Sequence, residues 1–172
     1  VAGEVRRIHE SAAGGTLILM TSYETIKRLS TLLGDALPYK IVASPDHPLA
    51  EQRHRFMATA GAGNRPVWLA LGAAWTGLDI NGADADISSD ADNLLTDLVI
   101  PRIPFSLNRS MTHHYRTTTN DKVPWELLDT AMRFKQGLGR LVRREGLPIN
   151  RRIHVLDGRV NDPRFDGYFS LL

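Results

Sequence analysis

Cysteine is absent from the chain, which excludes disulfides, thiolate zinc sites and an iron–sulfur cluster within this segment. Long apolar runs are missing as well. Nothing approaches the roughly 18 consecutive apolar residues of a membrane span, so no membrane partner is expected. The opening residues, VAGEVRRIHE, are charged and lack the apolar centre of a signal peptide. Together these absences make a cytoplasmic setting the expectation. There is also no GxxxxGKS/T run, the glycine-rich loop that cradles nucleotide phosphates, and no DEAH-like acidic box at a strand end.

What remains is a chain of 172 residues, 42% hydrophobic and 23% charged, enough apolar material for one ordinary domain with its own core. Residues 1–172 are read as that single domain, and a start at Val1 rather than Met makes an excised piece of a longer chain the expectation. The net charge is only +2, yet the charges are segregated. Asp84, Asp86, Asp90 and Asp92 stand together, while Arg133, Lys135, Arg140, Arg143, Arg144, Arg151 and Arg152 crowd a later segment. A basic region in a nearly neutral protein suits a polyanion such as nucleotide or nucleic acid; a solvated helix face explains it equally well.

Hydrophobic periodicity gives the architecture. Short apolar segments at 16–20 and 67–71 read as strands buried on both faces, 39–43 and 94–103 as two further strands, and Arg152 to Asp157 as a fifth. Helical spacing predicts helices over 23–33, ended by Gly34, over 49–60, and from Trp125 to about Arg144, with Pro124 at a favoured first-turn position. Strands alternating with helices imply an α/β domain, a parallel sheet covered on both faces. Ligands of such sheets sit beyond the carboxyl ends of the strands. The segments after Met20, Leu71, Ile103 and Leu156 are thus placed at a working edge.

Gln136 to Arg144, QGLGRLVRR, carries the most information. On a continuous helix Gln136, Arg140 and Arg143 fall at i, i+4 and i+7, on one face. Gly137 and Gly139 each cost about 1 kcal/mol relative to alanine in a helix interior. A helix that accepts both suggests the close approach of a backbone or a ligand. Arginine suits phosphate there because its planar fork stays charged and donates in pairs. The run Gln136-Gly137-Leu138-Gly139-Arg140-Leu141-Val142-Arg143 resembles motif VI of superfamily 2 helicases, in the form characteristic of the DinG/XPD branch.

Other segments extend that resemblance in order and spacing from about Gly15 to Leu172. Trp75-Thr76-Gly77-Leu78-Asp79-Ile80 is similar to motif V, with Thr76 where relatives commonly carry glutamate. Thr21-Ser22-Tyr23 resembles motif IV, although Ser22 reads equally as a helix N-cap. Ile100 to Phe105 resembles the family's strand ending in Leu-Pro-Phe, and Asp157-Gly158-Arg159 its closing Asp-x-Arg, expected to be a structural ion pair.

The resemblance implies a RecA-like, P-loop-NTPase-type parallel sheet: the second motor domain of an ATP-dependent 5′–3′ DNA helicase, without a phosphate loop of its own. ATP and Mg would be held mainly by a first motor domain outside this segment. Arg140 and Arg143 would reach the β- and γ-phosphates as catalytic arginine fingers, and Gln136, Gly77, Asp79 and Gly139 would line the nucleotide. Single-stranded DNA would run past Ser22, Tyr23 and Thr76. The segments 82–93 and 106–123 depart from the family; the latter holds Arg109 and Arg116 with His113, His114, Tyr115 and Lys122, a mixture of cations and rings that reads as a continuation of the single-strand path or equally as a surface excursion. The cysteine-free chain and Thr76 are similar to the helicases attached to type IV CRISPR systems, which implies an RNA-guided effector complex as a partner. The isolated domain is expected to be inactive.

Two other readings stand beside this one. In the first, the basic helix belongs to a non-enzymatic nucleic-acid-binding module. In the second, the chain is a nucleotide-binding α/β enzyme of another kind, for which no nucleophile or acid/base pair is evident. No metal is expected: Asp84, Asp86, Ser88 and Asp90 lack the glycine and glutamate offsets of an EF-hand, and His113-His114 lacks partners at ligand spacing.

Overall fold

Short apolar runs bounded by glycine and proline become the strands of a single parallel sheet. The computed structural model describes residues 1–71, 73–76, 94–105, 111–119, 125–141 and 150–163, by backbone alone at 73, 76, 112, 113, 116 and 117. Among these residues the strands are β1 (Gly15–Leu19), β2 (Lys40–Val42), β3 (Val67–Ala70), β4 (Leu95–Ile100) and β5 (Arg152–Val155). The helices are α1 (Ala2–Glu10), α2 (Tyr23–Leu33), α3 (Leu49–Gly61), a single turn α4 (Ala73–Thr76), α5 (Met111–Thr119) and α6 (Trp125–Leu138). The spatial order is β2-β3-β1-β4-β5, every neighbouring pair parallel. The α/β fold class expected from sequence is the one observed.

Alternate residues of each central strand feed two separate cores. Leu17, Leu19, Trp68, Ala70, Leu98 and Ile100 face Phe56 of α3, Trp75 of α4 and Phe134 of α6. Ile18, Leu69 and Val99 face Val5 and Ile8 of α1 and Ile26, Leu29 and Leu33 of α2. Full burial of each large side chain is worth roughly 1.5–3 kcal/mol, so both faces of the central strands contribute, whereas the edge strand β5 alternates polar and apolar residues, Arg152-Ile153-His154-Val155. The helix sides follow from topology. From β1 to β2 the chain moves one way across the sheet through α2, whereas β2 to β3 and β4 to β5 move the other way through α3 and α6. One crossover hand then requires α2 opposite to α3 and α6, as found.

Several boundaries differ from the sequence reading. The fourth strand stops at Ile100 because Pro101 has no amide to continue the ladder. Its start carries an extra residue: Gly15 pairs with Leu95 but Thr16 with Asp97. The intervening Thr96 hydroxyl accepts from the Gly14 amide at 2.9 Å and donates to Asp97 Oδ2 at 2.7 Å. Gly15 has no room for a side chain, since a Cβ there would lie 2.7 Å from the Leu94 carbonyl and 2.5 Å from the Phe56 ring. Helix α6 ends at Leu138, six residues before the expected Arg144. Helices α1 and α5 were not expected as helices.

At the amino edge of the sheet, Asp97 is entirely buried. Its Oδ1 accepts from Arg152 Nε at 2.8 Å and lies 2.9 Å from His154 Nε2, both on β5. Arg152 Nη2 also donates to the Ser11 carbonyl at 2.8 Å, which fastens the end of α1 to β5. Nearby, buried His9 pairs through Nδ1 with Thr16 Oγ1 at 2.9 Å. Burial, then the charge of Arg65, push this imidazole's pKa below its ordinary value, against the weaker pull of Asp97 and Glu10.

Candidate functional site at the carboxyl edge

The turns that leave the carboxyl ends of the strands bring three of the motif segments together. After β1, Ser22 is the N-cap of α2: its side-chain oxygen accepts from the Thr25 amide at 3.3 Å, and its hydroxyl pairs with that of Thr25 at 2.8 Å. The cap reading of Ser22 is therefore realised. Tyr23 stands exposed in the first turn, beside backbone N–H groups that give a helix start its partial positive charge.

After β3, Trp75 turns its indole back across the sheet end. Its Nε1–H donates to the Met20 carbonyl, at the exit of β1, at 2.9 Å. That ring fills the space over Gly137 of α6: a Cβ there would sit 2.8 Å from Trp75 Cε3 and 3.1 Å from Leu19 Cδ1. A close approach does occur at Gly137, but by this indole side chain and not by the backbone or ligand expected. Among the described residues Gly139 has no such neighbour; a Cβ there would meet the Gln136 and Lys135 carbonyls of the preceding turn, at 3.4 and 3.6 Å. Trp75 escapes a residue-by-residue reading because an aromatic in a core run gives no hint of its partner 62 positions on. The only signal was a glycine in a helix that had no turn to make.

The arginine segment differs from the expected single face. After Leu138 the chain tightens, with Arg140 N–H donating to the Gly137 carbonyl and Leu141 N–H to the Leu138 carbonyl, each at 3.0 Å. Two glycines in three residues make continuation of the helix costly, and the anchored Leu141, 1% exposed, draws the chain into the core. Gln136 is exposed in the last turn. Arg140 does not stand beside it on a helix face but folds back, its Nε donating to the Gln136 carbonyl at 3.0 Å, and is only 8% exposed. Gln136 and Arg140 are thus brought into contact, through a backbone oxygen at the negative end of α6. Arg143, Gly77, Asp79 and Arg109 lie outside the described residues. Thr76 closes α4 and Arg116 lies within α5, both described by backbone alone.

On the far side of β4, Asp157 and Arg159 form the expected ion pair. Arg159 Nε donates to both carboxylate oxygens, at 2.9 and 3.1 Å, while the Ile103 amide donates to Oδ2 at 2.9 Å. The guanidinium lies 4.3 Å over the Phe105 ring, a favourable cation–π arrangement. Burial raises the Asp157 pKa, but the hydrogen bonds from Arg159 and the amides of Ile103 and Arg159 outweigh it and hold the carboxyl below its ordinary range. The pair ties the Pro101–Phe105 turn to the end of β5, which is a structural task. Among the described residues no group of three or more His, Asp or Glu side chains is placed to hold a metal ion, and no helix is long and apolar enough to cross a membrane. Asp84, Asp86, Ser88 and Asp90 lie outside the described residues.

Comparison with known proteins decides the family. Residues 5–171 match the helicase C-terminal domain. The chain belongs to that family. Among solved structures, this helicase C-terminal domain is similar to the structure of S. tokodaii Xpd4, with a TM-score of 0.62 at 18% sequence identity. The match covers 98% of this chain but 30% of that one. It establishes a shared fold, and the helicase domain spans less than a third of the Xpd4 chain. No curated protein matches it.

Proposed function

We propose that the chain is the second motor domain of an ATP-dependent DNA helicase of the DinG/XPD branch, working 5′ to 3′ with a first motor domain that holds ATP and Mg. The observation that supports this most is the Trp75–Gly137 contact, which joins the motif V and motif VI segments at the carboxyl edge of the sheet. Gln136, Gly77, Asp79 and Gly139 face the nucleotide, and Arg140 and Arg143 supply charge to its β- and γ-phosphates. Single-stranded DNA passes Ser22, Tyr23, Thr76, Arg109 and Arg116. Before the domains close, Arg140 is held on the Gln136 carbonyl; closure exchanges that oxygen for a phosphate oxygen, a stronger, charge-assisted partner. The protein acts in the cytoplasm. Its likeness to the type IV CRISPR helicases makes an RNA-guided effector complex the partner in this reading.

The test is Arg140→Ala and Arg143→Ala in a protein that contains both motor domains. Loss of an arginine finger lowers hydrolysis by roughly 10³-fold or more and leaves affinity for single-stranded DNA nearly unchanged. If the substitutions instead weaken DNA binding and flatten its salt dependence while hydrolysis persists, the arginines are nucleic-acid contacts and the chain is a binding module.

A further inference from the structure

A cavity of about 350 Å³ opens between the carboxyl ends of β1 and β4, on the face covered by α1 and α2. Its position follows from the topology: the chain leaves β1 toward one side of the sheet and β4 toward the other, and Val1 and Ala2 at the start of α1 form part of its wall. The volume lies within the range of small ligand sites, roughly 300–1,000 Å³, but such sites converge polar groups on their interior. Here the distribution is reversed. The buried floor is Met20 and Leu29 with Pro101 beside them, and it offers no polar side chain.

The charges stand at the mouth. Arg28, on the outer turn of α2, and Arg102, after β4, both line the cavity and are exposed. Among the described residues neither guanidinium has a hydrogen bond or ion pair. Leu32 extends the apolar wall outward at 60% exposure. Among the described residues no aromatic side chain lines the cavity, so it has no platform on which a base would stack.

We infer that this cavity docks a segment of a partner protein that inserts one bulky aliphatic side chain between Met20 and Leu29 and sets flanking carboxylates on Arg28 and Arg102. An apolar socket with unpartnered cations at its rim fits a ligand that brings its anions from outside, and the planar guanidinium forks suit carboxylates.

The test uses the whole chain and labelled peptides in which one leucine is flanked by glutamates, by glutamines or by lysines, read by fluorescence polarisation. The glutamate peptide binds, and the glutamine peptide binds more weakly. Arg28→Glu with Arg102→Glu lowers affinity for the glutamate peptide at least about tenfold and creates affinity for the lysine peptide. That rescue, with an unchanged melting curve, separates a charge effect from misfolding. Leu32→Asp also weakens the glutamate peptide. Absence of glutamate-peptide binding, or binding indifferent to the charge reversal, overturns the inference. So does a short oligothymidylate that displaces the peptide and loses affinity on the reversed variant, which would assign the face to nucleic acid.

Discussion

The indole of Trp75 and the bare backbone of Gly137 lie against each other, closer than any side chain at position 137 would allow. Two motif segments far apart in sequence thereby share one packing surface. Gly137→Ala sets two effects against each other. Alanine gains about 1 kcal/mol of helix propensity, while pressing a methyl into the ring costs about 1–3 kcal/mol. Overpacking wins, because Trp75 is fixed at its far end by Met20 and cannot slide. The expected outcome is a loss of about 1 kcal/mol in denaturant unfolding, with a changed tryptophan emission spectrum. A more stable variant with unaltered emission would contradict the contact.

Trp75→Phe isolates the other half of that arrangement. Phenylalanine keeps an aromatic ring over Gly137 but cannot donate to the Met20 carbonyl. A buried carbonyl left without its donor costs about 1–3 kcal/mol. We expect a lower unfolding midpoint together with faster hydrogen exchange at the start of α2. If exchange there is unchanged, the indole bond does not position the Ser22 turn.

Asp97→Ala removes the centre of the amino-edge cluster. Breaking a buried ion pair from one side costs about 3–5 kcal/mol. The lower end applies because Arg152 is 40% exposed and regains water. Asp97→Asn, of similar size, should recover part of the loss. Equal stability of all three proteins, measured by urea unfolding, would show that Arg152 and His154 contribute nothing there.

Two depressed pKa values set the acid side of the stability curve. The neutral form of His9 is favoured in the folded state, so its contribution is complete above the unfolded value of about 6.5 and is lost as pH falls from there toward the lower folded value. Asp157 acts the same way at lower pH: its ionised form contributes above about 3.9 and is lost as pH falls through its depressed folded value. Urea midpoints should therefore drop as pH falls below about 6.5, less so in His9→Gln, and fall again in strong acid, less so in Asp157→Asn. A neutral-range slope identical in His9→Gln would remove His9 as its source.

The central strands were readable because burial on both faces leaves continuous apolar stretches in them, as in Leu17 to Leu19 and Val67 to Ala70. Helix α2 was equally plain, since Ile26, Leu29 and Leu33 mark one stripe and Gly34, at φ 52°, ends it. Helix α1 was not, for its buried face holds only Val5, Ile8 and a histidine. Helix α5 hides for the same reason: Met111 and Tyr115 are its large apolar residues, and both are exposed. The arginine segment misled in the opposite direction. Its spacing remains helical beyond Leu138, but periodicity does not register the two glycines or the anchoring of Leu141. The motif residues could be named from the sequence; that Arg140 folds onto the Gln136 carbonyl could not, because a backbone acceptor leaves no trace in side-chain patterns.

The bond from Arg152 to the Ser11 carbonyl joins residues 141 positions apart, and Asp97 receives its partners from the same late strand. On a ribosome, β4 emerges well before β5. Until Arg152 and His154 arrive, the emerging chain holds a carboxylate that must either stay hydrated or enter the sheet unpaired, and the second is costly. The amino edge is thus completed from the far end of the sequence: Asp97 gains its cationic partner only when β5 pairs with β4.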